Sequence, residues 1–291
     1  MATMNYVTPG LTKIDFEDSL FVLTDVGRDK TKAVQEMIEK RGGIVKGAVT
    51  KSTNYLVYGD GEEETTKYKK ALELINDKGL EINVLPFSLF KALCRGEGIV
   101  EFGSYPTAED GSRRPILWNI LKRKENKVLL FSAYGLDAKP YNDKWIVSTW
   151  ETCTLRKWLN EEFHKTAFTG EEQKRILMTK IENKDNPKYK YIIPGGNDTE
   201  DKVFLLSLSE VEQYLPTAIE RQVAPTPYAV KQGVFKCRNS NCWWLLRSPG
   251  RDSHGAAGVY FVGNIGDYAL CVGFGRDAVC PALWIDLESE I

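Results

Sequence analysis

The sequence predicts two domains of different fold class, an α/β domain followed by an α+β domain. Strand and helix patterns alternate from about Phe16 to Gly96, whereas the later part places its helices first and its short, Gly-rich strand patterns last. Alternation favours a small parallel sheet flanked by helices, and segregation favours an antiparallel sheet with separate helices. We therefore assign residues 1–97 to the first domain and residues 98–291 to the second.

Composition argues against several functional classes. The 291 residues are 42% hydrophobic and 27% charged, with a net charge of −1. A near-neutral chain produces no general field that attracts nucleic acid. The sequence lacks both an apolar run near the ~18 residues of a membrane span and the pattern of a signal peptide. We expect a cytoplasmic protein, with a place on a phage particle or at a surface left open.

The six cysteines are scattered without a CxxC pair, and the chain has only two histidines. This pattern favours reduced thiols over disulfides or zinc, so we expect no metal and no cofactor. The sequence contains no P-loop, GxGxxG motif or Ser-His-Asp arrangement. We therefore expect a protein that is not an enzyme.

In the first domain, "SLFVLTDV" is a short buried strand and "DKTKAVQEMIEKRGG" an amphipathic helix that ends at Gly42 and Gly43. Two more strands, "IVKGAV" and "YLVYG", precede a second helix, "TTKYKKALELINDKG". A final strand and helix, "INVLPFSLFKALCRG", complete a β-α-β-β-α-β-α order.

These residues resemble the BRCT family through "FVLTDV", "RGGIV", "TNYLVYG", "TTKYKKALEL" and "LPFSLFKAL". The resemblance covers the whole domain and implies a non-catalytic module that binds DNA or phosphoproteins. In phosphate-binding members, a Ser or Thr after the first strand and a Lys in the second helix hold the anion. The matching residues are Thr24 and Lys67, and the first turn of a helix favours an anion.

The match departs from the family at Asp25, where members usually have Gly, and at Phe87 or Phe90, where many have Trp. Asp25 would place a negative charge beside the phosphate. The alternative is that Lys67 belongs to a solvated helix face with the neighbouring lysines.

In the second domain, "PILWNILKRKENKVLLFSAY" predicts a hairpin. "STWETCTLRKWLNEEFHKTAF" predicts a helix capped by Ser148 or Thr149, and "TGEEQKRILMT" one capped by Thr169 with Glu172 completing a capping box. "DKVFLLSLSEVEQYL" predicts a strand and a short helix. The closing strands are "WWLLRSP", "GVYFV", "YALCVG" and "PALWIDL".

Several motifs resemble a bacterial and phage family of unknown function with a C-type-lectin-like fold, which includes the variable proteins of diversity-generating retroelements. They are "FGSYP", "PILWNIL", "LLFSAYGLDAKPYN", "TWETCTLRKWLNEEF", "GGNDTEDKVFLLSLSEVEQYL", "APTPYAVKQG", "WWLLRSPG" and "PALWIDL". In those systems, template adenines are mutated during copying into the 3′ end of the gene. The resemblance implies a surface of hypervariable residues that binds a protein or another macromolecular ligand.

The closing region, about residues 237–287, contains no Lys, Glu, Gln or Met. Mutation of the adenines in an AAC or AAT codon cannot produce these four residue types, and it cannot produce Trp. The three tryptophans of the region, Trp243, Trp244 and Trp284, lie in motifs that we expect to form the scaffold. Arg247, Pro249 and Ala282 belong to the same motifs. A Gly-rich β region that avoids long side chains is the alternative explanation.

Between the scaffold motifs, the sequence is rich in residue types that antibody paratopes use for contact and adaptable hydrogen bonding. We predict the following exposed, variable, ligand-binding positions: Arg238, Asn239, Ser240, Asn241, Arg251, Asp252, Ser253, His254, Tyr260, Asn264, Asp267, Tyr268, Phe274 and Asp277.

Two other functions stay open. One is an adaptor whose BRCT domain binds DNA or a phosphoprotein while the lectin-like domain is structural. The other is a copper enzyme like the formylglycine-generating enzymes, with Cys237 and Cys242 as thiolate ligands. The flanking residues do not resemble those enzymes, and shared fold alone does not carry function.

Overall fold

The computed structural model describes residues 11–60, 62–188, 192–237, 241–273 and 275–287. The chain divides into two compact units, Met1–Cys94 and Arg95–Ile291. Each unit is built around its own buried residues.

The first unit is a parallel four-stranded sheet with the order β2-β1-β3-β4. Its elements confirm the predicted β-α-β-β-α-β-α order. They are β1 (Leu20–Thr24), α1 (Arg28–Glu39), β2 (Ile44–Lys46), β3 (Tyr55–Tyr58), α2 (Thr66–Lys78), β4 (Asn83–Pro86) and α3 (Phe87–Leu93).

Strand β1 lies inside this sheet, between β2 and β3, which explains its uninterrupted apolar run. Phe21 and Val22 are fully buried, and the Phe21 ring stacks on Tyr55 of β3 at 4.7 Å between centroids. Helix α2 begins at its cap Thr65, whose hydroxyl accepts from the Tyr68 amide, and ends at Gly79 with φ 61°. That left-handed conformation suits glycine because it has no Cβ.

The second unit is mostly strands, and its two main sheets have the orders β15-β7-β6-β5 and β13-β12-β11-β14-β8. The strands are β5 (Ile99–Pro106), β6 (Arg113–Lys124), β7 (Lys127–Ser132), β8 (Asp137–Ala138), β9 (Thr179–Ile181), β10 (Thr199–Asp201), β11 (Trp244–Pro249), β12 (Gly255–Val259), β13 (Ile265–Cys271), β14 (Ala278–Val279) and β15 (Ala282–Asp286). The predicted hairpin is β6 and β7, and the predicted closing strands correspond to β11, β12, β13 and β15.

The helices of the second unit are short. They are α4 (Thr154–Trp158), α5 (His164–Ala167), α6 (Gly170–Arg175), α7 (Leu208–Tyr214), α8 (Ala218–Arg221) and α9 (Pro227–Gln232), with a π-helical turn, Leu159–Phe163, joining α4 to α5. Thr169 and Glu172 form the predicted capping box of α6.

The predicted cap at Ser148 or Thr149 is wrong, because α4 begins later, with Cys153 as its cap. The chain turns first: the Cys153 amide donates to the Thr149 carbonyl at 3.0 Å. This turn accompanies the burial of Trp150, whose indole N–H donates to Asp201 at 2.8 Å.

Arg95 is a buried cation at the start of the second unit, only 1% exposed. Its guanidinium donates to the carbonyls of Glu220, Ala133 and Gln222 at 2.7, 2.8 and 2.5 Å, and to Asn119 Oδ1 at 3.3 Å. A buried charge is tolerated only when such hydrogen bonds replace its hydration. Arg95 therefore ties the hairpin β6–β7 to the segment after α8.

The predicted scaffold residues Trp244, Arg247, Pro249 and Ala282 are buried. Trp243 and Trp284 are only partly buried. Side chains alternate along a strand, so Trp284 faces away from its buried neighbours Leu283 and Ile285 on β15.

Candidate functional site

Thr24 and Lys67 of the first unit lie close together, as predicted. Thr24 ends β1 and is 8% exposed, and Lys67 is in the first turn of α2. The Lys67 ammonium donates to the carbonyl of Leu23 at 2.9 Å, which places it directly beside Thr24. A lysine at the amino end of a 13-residue helix forms a positive site together with the helix dipole.

Asp25 lowers the positive character of this site. Its backbone is left-handed, with φ 51°, and its carboxylate accepts from the Thr24 hydroxyl at 3.2 Å. The Gly59 amide donates to the Thr24 carbonyl at 3.0 Å, and a Cβ on Gly59 would come within 2.0 Å of the Asp25 carbonyl oxygen. The loop after β3 therefore packs tightly on the backbone of Asp25, and the carboxylate stays beside Thr24 through its hydrogen bond with the Thr24 hydroxyl.

In the second unit, four of the predicted variable residues lie together in the turn between β11 and β12. Arg251 and Asp252 are exposed, and Ser253 and His254 are half-buried. The Asp252 carboxylate accepts from the His254 amide at 2.9 Å, which stabilises the turn. Arg251 and Asp252 are exposed as predicted, Ser253 and His254 are less exposed than predicted, and a ligand-binding role stays a prediction for all four.

Tyr260 and Asn264 lie in a different place, at the turn between β12 and β13. The five residues of β12 separate the two turns, a distance of ~17 Å for an extended strand. The centroid of the Tyr260 ring lies 5.1 Å from that of Trp243. A Cβ on Gly266 would come within 2.6 Å of the Tyr260 ring. Within the part of the chain that the structure describes, the predicted positions of these two turns therefore lie apart from each other.

The predicted exposure of Asn241 and Asp277 is wrong. Asn241 is fully buried, and its amide donates to Gln222 Oε1 and the Phe261 carbonyl, both at 3.0 Å. Asp277 is 5% exposed, and burial raises its pKa to about 7. A residue type that diversification permits can equally serve as a buried structural group.

The remaining predicted positions are not described. Arg238, Asn239, Ser240 and Phe274 lie outside the described residues, as do the side chains of Asp267 and Tyr268 on β13.

An exposed apolar loop that none of the predicted sites includes lies beside the turn of Arg251–His254. Trp145, Ile146 and Val147 are 67%, 53% and 60% exposed. The Trp145 ring lies 6.2 Å from the His254 ring, and the Ser148 amide donates to the Ser253 carbonyl at 3.2 Å. We call Trp145–Val147 with Arg251–His254 the loop patch. Three consecutive apolar residues outside any strand or helix pattern are the signal that could have located it.

No helix within the described residues is long and apolar enough to cross a membrane. In the same part of the chain, no group of three or more His, Cys, Asp or Glu side chains could hold a metal ion. Cys242, one of the two cysteines that the copper-enzyme alternative would use as ligands, is buried, and its thiol lies 3.4 Å from the Val223 carbonyl.

A parallel four-stranded sheet flanked by helices, with a lysine beside the end of the first strand, agrees with a BRCT domain in the first unit. The family model described as "BRCA1 C Terminus (BRCT) domain" matches residues 12–75. The chain as a whole belongs to the family described as "Domain of unknown function (DUF6273)", whose model matches residues 125–287, more than half of its length.

Two curated proteins are similar over short segments. A DNA ligase of Acanthamoeba polyphaga mimivirus is 55% identical over 40 residues, 14% of this chain and 6% of the ligase. A DNA ligase of Ruminiclostridium cellulolyticum is 44% identical over 61 residues, 20% of this chain and 9% of the ligase. The chain thus spans less than a tenth of either relative. Comparison with solved structures finds no match.

Proposed function

We propose that this chain is a non-enzymatic adaptor whose BRCT domain binds DNA at a terminal 5′-phosphate. The observation that carries the proposal is the Lys67 ammonium, fixed beside Thr24 at the amino end of α2. DNA is the ligand favoured because both similar curated proteins are DNA ligases. Phosphoproteins, which BRCT domains also bind, are the alternative ligand.

The chemistry of the site suits one phosphate group. A lysine ammonium has three N–H donors, and the Leu23 carbonyl accepts one of them. The remaining donors and the Thr24 hydroxyl can bind phosphate oxygens, and the amino end of α2 adds a favourable dipole. Asp25 opposes the anion, because its carboxylate already accepts from the Thr24 hydroxyl. We therefore expect weak binding that depends on salt.

Replacing Lys67 with alanine should lower the affinity for 5′-phosphorylated DNA by about ten-fold or more, since a hydrogen bond to a charged group is worth ~1.5–3 kcal/mol. Fluorescence anisotropy with a short labelled duplex measures the change. Lys70→Ala is the matched control: Lys70 lies on the same helix, but its ammonium is paired with Glu73 at 2.7 Å.

Asp25→Gly is the complementary variant. It removes the carboxylate beside Thr24 and relieves a positive φ that glycine adopts at no steric cost. We expect tighter phosphate binding together with a small gain in stability. Equal affinities for the wild type, Lys67→Ala and Asp25→Gly would remove this site from DNA binding.

A second candidate function concerns the second unit, which we propose displays variable residues in the manner of retroelement variable proteins with a C-type-lectin-like fold. The loop patch favours this function, because exposed apolar residues beside a polar turn are typical of interaction surfaces. A reverse transcriptase gene nearby, with an adenine-biased near-repeat of the 3′ end, would support it, and absence of both would favour the adaptor alone.

Simultaneous replacement of Arg251, Asp252 and His254 by other residues reachable from AAC or AAT codons should lower the melting temperature only slightly, mainly through loss of the hydrogen bond between the Asp252 carboxylate and the His254 amide. Exposed substitutions usually change stability by no more than about ±0.5 kcal/mol. Asn241→Tyr, equally reachable, is the control and should destabilise the unit, because Asn241 is buried and hydrogen-bonded. If the triple variant melted at a lower temperature than Asn241→Tyr, the display proposal for this turn would be wrong.

A further inference from the structure

A cleft of about 420 Å³ lies within the second unit. Its walls are the segment Thr179–Asp185, helix α7 and the end of β11, and Trp284 of β15 completes the lining. This volume falls within the ~300–1,000 Å³ range of small-molecule sites. Neither candidate function above uses it.

Two aromatic side chains line the cleft without a ring partner. Among the described residues, Tyr214 and Trp284 contact no other aromatic ring and no cation, and both are partly exposed. The other tryptophans of the chain each pack against another ring. Both side chains also pack against the hydrophobic core, and the exposed part of an indole in a concave site is suited to contact with a planar ligand.

The cleft also carries one unused hydrogen-bond acceptor and one unused donor. The Oδ1 atom of Asn183 and the Nε atom of Arg247 are buried and have no partner within the described part of the chain. Arg247 is 5% exposed, and its Nη1 atom donates to the Leu205 carbonyl at 2.7 Å and to Glu210. Unsatisfied buried polar groups are rare because each is costly, so a ligand that displaces the side chains covering these two atoms would gain by pairing with them.

The charges around the cleft are paired with one another. Lys188 lies 3.4 Å from Glu212, Lys184 lies 3.2 Å from Glu182, and Arg247 is paired with Glu210. Because these cations are matched by anions that also line the cleft, the cleft offers dipoles and aromatic side chains without a strong net charge. It therefore suits a neutral ligand better than a phosphate or a carboxylate.

We infer that this cleft binds a nucleobase. A base is neutral and planar, its face stacks on aromatic side chains, and its edge carries donors and acceptors side by side. Amide and guanidinium groups such as those of Asn183 and Arg247 are the side chains that pair with base edges. A saccharide can also pack on these rings through its C–H groups, so it is the ligand class against which the base is tested. The base could belong to a free nucleoside or to single-stranded nucleic acid.

The test is calorimetric titration of the full chain with each of the four deoxyribonucleosides, with methyl glycosides as the saccharide arm. Nucleosides carry no phosphate, so their binding is independent of the Lys67 site. We expect one nucleoside to bind best and Trp284→Ala to weaken it about ten-fold or more, the size of a lost base–aromatic stack. Trp284→Phe should retain most of the affinity, and Asn183→Ala should change the ranking of the four bases.

Trp145→Ala is the matched control, because Trp145 is an exposed tryptophan outside the cleft. If Trp284→Ala does not fold, Tyr214→Ala tests the same stacking from helix α7. A homopolymeric single strand of the preferred base, bound more tightly than its nucleoside, would assign nucleic acid as the source. Absence of nucleoside binding, binding of glycosides alone, or equal binding by the wild type and the Trp284 and Tyr214 variants would overturn the inference.

Discussion

Replacing Trp244 with alanine is expected to destabilise the second unit by about 3–5 kcal/mol, the usual loss for a buried aromatic side chain. Trp244 is fully buried on β11, and its ring lies 5.3 Å from Phe131 of β7. It therefore joins the two main sheets. Its indole N–H donates to the Arg221 carbonyl at 3.0 Å, and alanine would leave that carbonyl without its donor.

Two other tryptophans provide the comparison in thermal or urea unfolding of the same chain. Trp145→Ala should change stability little, because this side chain is 67% exposed. Trp284→Ala should lower the stability by an amount between these two, because Trp284 is only partly buried although the sequence predicted it as a scaffold residue. If Trp244→Ala melted like Trp145→Ala, the description of the core between the two sheets would be wrong.

The second large effect is a dependence of stability on pH that arises from Asp277. Burial raises its pKa from 3.8 to about 7, so the folded state holds a proton that the unfolded state releases. This contribution favours folding at low pH and declines as the pH rises from about 4 to about 7. A shift of this size corresponds to about 4 kcal/mol at most.

Asp277→Asn should remove this dependence, because an amide does not titrate. The free energy of unfolding, measured with urea at pH 5 and pH 8, should fall less with pH in the variant than in the wild type. His164 acts in the opposite sense in both proteins, since burial lowers its pKa and its contribution is lost as the pH falls. The difference between the two proteins isolates Asp277, and parallel pH profiles would contradict its buried, protonated state.

Local patterns in the sequence predict the first unit well. Each of its strands is a short apolar run, and α2 has a cap at Thr65 and a left-handed glycine at Gly79. In the second unit, the capping box of α6 is equally local and is confirmed. Such signals depend on neighbours within a few residues, so they need no knowledge of the tertiary structure.

Features that depend on tertiary packing escape this kind of prediction. Composition cannot distinguish the exposed Asp252 from the buried Asp277, because both are residues that a variable turn would permit. The cleft is hidden for the same reason: Asn183, Tyr214 and Trp284 come from three distant segments. Thr24 and Lys67 are also distant in sequence, and they could be paired only because a family resemblance supplied the topology.

The most direct test of the adaptor proposal compares two duplexes that differ only in a 5′-phosphate or a 5′-hydroxyl at one end. The full chain should bind the phosphorylated duplex more tightly, and Lys67→Ala should lose that preference while Lys70→Ala keeps it. A phosphoserine peptide should bind more weakly than the phosphorylated duplex. Equal affinity of the wild-type chain for the two duplexes, or tighter binding of the peptide, would contradict recognition of a DNA end by the BRCT domain.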